Sequence, residues 1–384
     1  MIYWEQMNAR PVPTGPSKLL HIHWPLVLLI CIVSGVGFLM LYSAAGGKLD
    51  TWARPQMIRF GLGIAVMFVV AMIHIDFWRR ISLLTYVGGL GLLVAVEVMG
   101  AVGMGAQRWI DLGPLRLQPS EVMKVAIVMV LAQYYAWLPR EKVSHPFWVA
   151  LPLVLTAIPV ALVLRQPDLG TSILMTAGAG VVMFLAGVSW WYFGTAIASV
   201  AATIWAVFAS RGTDWQLLKD YQYDRIEIFL DPSIDPLGKS YNITQATIAL
   251  GAGGLSGRGF MEGTQSRLGF VPEKHTDFIF TSLAEQFGFI GGITLLGLYT
   301  AIIMFCLLSA FRNRDRFGAL MTGGLTATFF FFFFVNMGMV MGLLPVVGVP
   351  LPLVSYGGSA MLVLLGAFGL IQSAHVHRPR GPYG

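Results

Sequence analysis

The sequence predicts an all-α polytopic membrane protein of about ten transmembrane helices, with a large extracytoplasmic loop between spans seven and eight. Three observations predict it. The 384 residues are 56% hydrophobic and only 11% charged, with a mean hydropathy of +0.71; soluble domains carry about 25% charged residues. Apolar runs of roughly twenty residues, the length an α-helix needs to cross hydrocarbon, recur along the chain. Lys and Arg collect at the ends of those runs, more on one side than the other. A single transmembrane domain over 1–384 is expected, with 1–21 and 375–384 as cytoplasmic tails and 210–276 as the outer loop.

The runs fall at 22–44, 57–75, 81–103, 119–138, 146–164, 169–187, 190–209, 277–310, 318–343 and 356–374. The first follows a polar leader and is too long for a signal-peptide core. SAA at 43–45 resembles a cleavage site, but nine spans follow it. With the N-terminus inside, the inner segments hold Arg10, Lys18, Arg79, Arg80, Arg140, Lys142, Arg312, Arg314, Arg316, Arg378 and Arg380. The short outer loops hold chiefly Lys48, Arg54, Arg108, Arg116 and Arg165. The positive-inside rule then puts both termini in the cytoplasm, the long loop being set aside because such loops cross largely regardless of charge.

Several function classes drop out. The net charge of +6 sits mostly at helix ends, without the aromatic–basic interleaving of a nucleic-acid groove. Cys31 and Cys306 lie in apolar runs and offer neither a disulfide framework nor metal spacing. No internal repeat is visible, so the inverted repeats of many secondary transporters are missing. The hexaphenylalanine run 329–334 reads as a lipid- or core-facing helix patch.

The outer side is the unusual one. LLPVVGVPLPLVSYGGS (343–359) carries three prolines and two adjacent glycines with no charge. Apolar non-helical backbone is tolerated at membrane depth only when buried in protein or lining a cavity, so a re-entrant or folded cap is expected. Ionisable residues at such depth are functional candidates by default. Glu121 and Lys124 stand one turn apart on one face, after Pro119 in a first turn. They read as a self-neutralising pair or as the charged lining of an outward cavity. In RQPDLGTS (165–172), Arg165 could hold a phosphate and Asp168 could cap a helix or orient Arg165. Glu97 and Glu285 should each pair with a polar group; His74 and Asp76 read as interfacial.

In the long loop, IEIFL (226–230) could be a half-buried interfacial helix. GAGGLSGRG (251–259) is no P-loop, though its glycines could let backbone N–H groups approach an anion. Arg258, Arg267 and Lys274 put cations on the side of Asp277, which opens VPEKHTDFIF's apolar run. Thr276 or Asp277 could cap the eighth span. A carboxylate at an outer helix mouth, beside cations and an apolar floor, also suits a general base acting on a lipid-linked anion.

DPSIDPLGKSYNITQATIALGAGGLSGRGF, GTQSRLGFVPEKHTDFIF and PLPLVSYGGSAML closely resemble segments of the SEDS family of bacterial cell-wall proteins, and RWIDLGPLRLQPSEVMK and RQPDLGTS match further ones. The likeness runs from about residue 20 to 375 and is nearer the elongation branch than the division branch. It implies a peptidoglycan glycosyltransferase that polymerises lipid II on the outer face of the cytoplasmic membrane, during elongation and shape maintenance. It also implies that the motif aspartate, here Asp277, is essential and that Glu121 and Lys124 are the charged cavity pair.

The expected chemistry is an inverting displacement of undecaprenyl pyrophosphate. Asp277 takes the attacking hydroxyl's proton, and Glu121, Lys124, Arg108, Arg165, Asp168, Arg258 and Lys274 are the candidate substrate residues. Neutralised pyrophosphate leaves without a second carboxylic acid, unlike a glycosidase leaving group. No obligatory cofactor is evident; a divalent cation such as Mg2+ could bridge pyrophosphate to a carboxylate, although no dedicated ligand cluster stands out. The resemblance also implies a class B penicillin-binding protein partner, with the exposed faces of spans eight and nine as contact candidates. The rival readings are a lipid II flippase, which predicts charges through to the inner face, and a scaffold that only recruits a transpeptidase.

Overall fold

A computed structural model describes residues 15–103, 106–111, 113, 116–213, 216, 223, 227, 241–268 and 273–378. Most of IEIFL therefore lies outside the described residues, Glu227 excepted. Seven helices precede the long loop: α1 (Trp24–Ala44), α2 (Ala53–Met72), α3 (Ile75–Met99), α4 (Pro119–Trp137), α5 (Pro146–Arg165), α6 (Leu169–Ala186) and α7 (Trp190–Ala209). Within the loop are α8 (Tyr241–Gly253) and α9 (Thr264–Leu268); after it come α10 (Ile279–Phe311), α11 (Arg316–Val340) and α12 (Ser359–Val376). This is a multi-pass membrane protein: nine of the described helices are long and apolar enough to cross a bilayer, α4 not among them.

Helix starts follow local chemistry. The His23 side chain accepts from the Leu26 N–H at the head of α1, which has Pro in its first turn. Asp168 caps α6 and Asp315 caps α11 through side-chain oxygens. Two helix starts differ from the apolar runs by more than a turn. α2 starts at Ala53 rather than 57, and α3 at Ile75 rather than 81. In α3 the charged residues are already helical, because Arg79 finds carboxylates on both sides, Asp76 at 3.3 Å and Asp315 at 2.5 Å.

The tail of the third run is not helix. Residues 101–103 form strand β1 of a small antiparallel sheet with β2 (Ala106–Asp111) and β3 (Arg116–Leu117), in the order β1-β2-β3. Asp111 pairs with Arg116 and Ile110 with Leu117 across the last hairpin, whose Gly113 sits at φ 85°. The sheet returns the chain directly to Pro119 at the head of α4.

The core gathers around α4, where thirteen of nineteen residues are buried. α4, α6 and α11 meet closely: a Cβ on Gly324 would lie 2.4 Å from Val182 and 2.7 Å from Val128. Small residues permit such approach where no hydrophobic force separates helix from lipid. At the other extreme, α7 has no buried residue. The phenylalanine run of α11 divides by helical face: Phe329, Phe332 and Phe333 are buried, Phe330 and Phe334 exposed.

α10 is broken at Gly288, whose φ/ψ of 64°/−159° is not helical. The eighth apolar run is therefore a short buried helix, 279–287, followed by the long one. The glycine-rich stretch 251–259 fits into that break. Phe289 and Ile290 N–H donate to the carbonyls of Gly254 and Leu255, while Arg258 and Gly259 N–H donate to those of Glu285 and Gln286. A Cβ on Gly257 would lie 2.1 Å from the Gln286 carbonyl oxygen. These glycines serve backbone-to-backbone approach, and the expected anion cradle is corrected accordingly: the N–H groups of 258 and 259 are already donated.

Candidate active site

The proline-rich segment after α11 is the folded cap the sequence predicts. Val349, Leu351, Leu353, Val354 and Ser355 are buried. Leu353 holds a left-handed φ of 67°, which for leucine costs of order 1 kcal/mol. Its backbone is satisfied by side chains from the bundle. Asn336 Nδ2 donates to the Val349 carbonyl at 2.7 Å, Tyr299 Oη donates to the Pro352 carbonyl, and Gln56 Nε2 donates to the Ser355 carbonyl at 3.0 Å.

A cavity of about 60 Å³ opens beneath this cap, lined by Glu121, Lys124, Phe329, Phe332, residues 350–353, Ser355 and α12 side chains. Its lining is mostly apolar, and its charge is one ion pair. Lys124 Nζ donates to Glu121 Oε1 at 2.7 Å, with 3% and 9% side-chain exposure. Nζ also lies 3.8 Å from the Phe332 ring centroid, a cation–π contact that strengthens with desolvation. Glu121 and Lys124 neutralise each other and are among the residues that line the cavity.

Asp277 stands elsewhere. It is not among the residues lining that cavity; Ser355 is, and Ser355 Oγ donates to the Thr276 carbonyl at 2.6 Å. The expected capping of α10 is absent: Phe278 is the N-cap and no side chain caps the helix. Thr276 Oγ1 instead donates to the Glu273 carboxylate at 2.9 Å, and Glu273 sits at a left-handed φ of 52°. The His275 ring stacks on Trp52 at 4.4 Å and 4°, and burial lowers its pKa.

The Asp277 carboxylate takes no hydrogen bond or ion pair among the described residues. Burial first, then the neighbouring Glu273 charge, pushes its pKa up to about 6. A half-buried carboxylate with no partner among the described residues and a pKa near neutrality is suited to accept a proton rather than to hold a structure together.

Most of the remaining candidates have partners of their own. Arg108 donates to the carbonyls of Gln166 at 2.9 Å and Pro167 at 2.5 Å, tying β2 to the α5–α6 turn. Arg165, largely exposed, lies 3.6 Å from Glu97, so Asp168 does not orient it. Asp168 receives Thr171 N–H and Oγ1 and, at 3.3 Å, Gln118 Nε2. Arg258 Nε donates to the Ala252 carbonyl. Lys274 shares the 273–278 turn with Asp277, and burial lowers its pKa. Buried Glu285 accepts from the Gln265 N–H at 2.7 Å, anchoring α9 to α10. Among the described residues no group of three or more His, Cys, Asp or Glu could hold a metal ion.

Four residues that place the site escape sequence reasoning: Gln56, Asn336, Ser355 and Arg59. Arg59 lies within α2, with its guanidinium 4.8 Å from the Tyr356 ring centroid. A signal existed for two of them, since Asn336 and Arg59 are polar residues inside apolar runs.

Comparisons with known proteins agree with this architecture. The family model described as the cell cycle protein family FtsW, RodA and SpoVE matches residues 23–380. The chain is 43% identical over 360 residues to the peptidoglycan glycosyltransferase MrdB of Escherichia coli, covering 93% of this chain and 94% of that one. It is 30% identical over 422 residues to the peptidoglycan glycosyltransferase RodA of Treponema pallidum, covering 92% and 97%. Among solved structures, one chain of a peptidoglycan synthase complex that coordinates polymerisation and crosslinking aligns with TM-score 0.81 and 31% identity, covering 93% and 98%. The rod shape determining protein RodA of Thermus thermophilus aligns with TM-score 0.70 and 28% identity, covering 93% and 97%. With the family model spanning nearly the whole chain, this protein belongs to the FtsW/RodA/SpoVE family, the SEDS proteins.

Proposed function

We propose that this protein is a peptidoglycan glycosyltransferase of cell elongation and shape maintenance, polymerising lipid II at the outer face of the cytoplasmic membrane with Asp277 as general base. The activity rests on relatives that bear that name across more than nine-tenths of the chain. The observation that carries the mechanism is the Asp277 carboxylate, unpaired among the described residues and raised to about 6.

At pH 7 a carboxylate with that pKa is mostly ionised, yet basic enough to share a proton in the transition state. The acceptor hydroxyl gives its proton to Asp277 as its oxygen bonds to the anomeric carbon. On the opposite face the bond to the pyrophosphate oxygen breaks, and undecaprenyl pyrophosphate leaves with its electron pair. Cations neutralise the leaving charge; Lys124, Arg108, Arg165, Arg258 and Lys274 remain the candidates, with Glu121 and Asp168 holding their surroundings. The cavity under the cap, apolar apart from its ion pair, suits a lipid-linked ligand. A divalent cation would be held largely by the substrate pyrophosphate, with carboxylates completing its shell. A class B penicillin-binding protein is the proposed partner, supported by the likeness to a chain of a synthase complex. The positive-inside count of Lys and Arg supports a cytoplasmic position for both termini.

Purified protein given lipid II and no other polymerase should lengthen glycan, and Asp277→Ala should stop it. Glycan growth that survives in Asp277→Ala would remove the base assignment. Lipid II crossing vesicles without any polymer would favour the flippase.

A further inference from the structure

Asp277 is fixed through its backbone. Three successive carbonyls across the motif accept hydrogen bonds from one neighbouring unit: His275 from the Tyr356 N–H at 2.9 Å, Thr276 from Ser355 Oγ at 2.6 Å, and Asp277 from Asn336 Nδ2 at 2.9 Å. The donors are themselves located. Ser355 Oγ accepts from the Leu351 N–H at 2.8 Å, closing a turn in the cap. Asn336, fully buried in α11, gives its other amide hydrogen to Val349. Gln56 grips the cap from α2 through the Ser355 carbonyl and the Gly357 N–H.

The side chain has no comparable support. No side chain caps α10, and the Asp277 carboxylate takes no hydrogen bond among the described residues. The course of its Cα–Cβ bond is set by the peptide planes on either side of it, and the carbonyls of those planes are held by Ser355 and Asn336. We propose that Asn336 and Ser355 are positioning residues for Asp277, holding its main chain so that the Cβ of the base is presented toward the acceptor hydroxyl while the carboxylate takes no hydrogen bond among the described residues. The inference rests on the reading of Asp277 as the base. A bonded carboxylate would be better ordered but a weaker base, because hydrogen bonds to the charged form lower its pKa. Positioning through the backbone avoids that loss. Ser355 also lines the cavity beneath the cap, so the wall facing the proposed lipid and the clamp on the base share one residue.

The experiment compares Asn336→Ala, Ser355→Ala, Ser355→Thr and Asp277→Asn, purified in detergent, with rates expressed per monodisperse folded molecule. Displacing a reacting group by about 1 Å can cost roughly 10²-fold in rate. The two alanine variants should lose kcat on that scale while KM for lipid II holds. The acid limb of kcat should move to lower pH as water reaches the carboxylate. Ser355→Thr, which keeps the hydroxyl, should recover most of the rate. A merely structural role would lower the yield of folded protein and leave kcat per folded molecule and the pH limb where they are, and that result overturns the inference. So does a loss confined to KM. Near-normal polymerisation by Asp277→Asn overturns the base reading itself, whatever Asn336 and Ser355 do.

Discussion

Two carboxylates of this protein have opposite surroundings. Glu121 is buried against Lys124 at 2.7 Å, under the Phe332 ring and within a helix of which thirteen of nineteen residues are buried. Asp277 sits on a turn with its three flanking carbonyls held and its own oxygens unbonded among the described residues. The same functional group is spent as charge balance in one place and kept available in the other. The difference is made by neighbours: a cation on the next helical turn for Glu121, and burial beside a like charge for Asp277. Pairing stabilises the ionised form and removes reactivity; isolation does the reverse.

The sharpest way to break that contrast is Asp277→Asn. Polymerisation should fall by about 10²–10⁴-fold, the usual worth of a general base, measured as glycan length from lipid II. The same change should raise the thermal midpoint above pH 6. A carboxyl whose folded pKa is about 6, against 3.8 ordinarily, favours folding while protonated and loses that contribution as pH rises through 6. Asparagine carries no charge to desolvate.

The Glu121–Lys124 pair should behave in the opposite sense. Lys124→Met or Glu121→Gln alone strands a buried charge and should cost about 3–5 kcal/mol, whereas the double change should cost much less than the sum. Unfolding of the three variants in detergent checks this; additive losses would show that the pair is not coupled.

Gly288→Ala tests the seam between loop and helix. A left-handed φ of 64° and a Cβ 2.4 Å from the Gly257 nitrogen leave alanine no place. A loss of about 1–3 kcal/mol is expected, read as faster proteolysis within 251–268 while the distant helices stay protected. The smallest effect belongs to Glu273→Gln. Removing the secondary cause of the raised Asp277 pKa should shift the acid limb of kcat slightly to lower pH, with the plateau rate little changed.

Much of the fold is legible because ten runs of apolar residues have no other use for their length. The boundaries near 53, 75 and 288 are not, because they depend on partners far along the chain: Asp315 for Arg79, and the 254–259 backbone for the break at Gly288. In the site, Glu121, Lys124 and Asp277 stand out as charges beside apolar sequence. Their separation does not, since the cap between them is placed by Asn336, Ser355 and Gln56. Arg108, Arg165 and Arg258 share a side with Asp277 in sequence, but the structure gives each another partner, two of them backbone carbonyls. A cation count along an outer face does not reveal which guanidinium groups are already occupied by peptide oxygens.

α4 has a consequence for how the protein is made. Among the described long helices it falls short of the hydropathy that marks a spanning segment, yet it occupies the interior. On insertion scales a Glu or a Lys costs about 2.5–3.5 kcal/mol at a helix centre and less toward its ends. A ribosome that has just released α4 therefore presents the membrane with a segment poorly fitted to lipid. Met123 of α4 lies over Gly89 of α3, and the two helices are joined by the short sheet. We expect α4 to enter as a hairpin with α3 and to be covered on its charged face by α6 and α11 later; chains truncated after α4 should then leave it poorly inserted, read by accessibility of tags on either side of it.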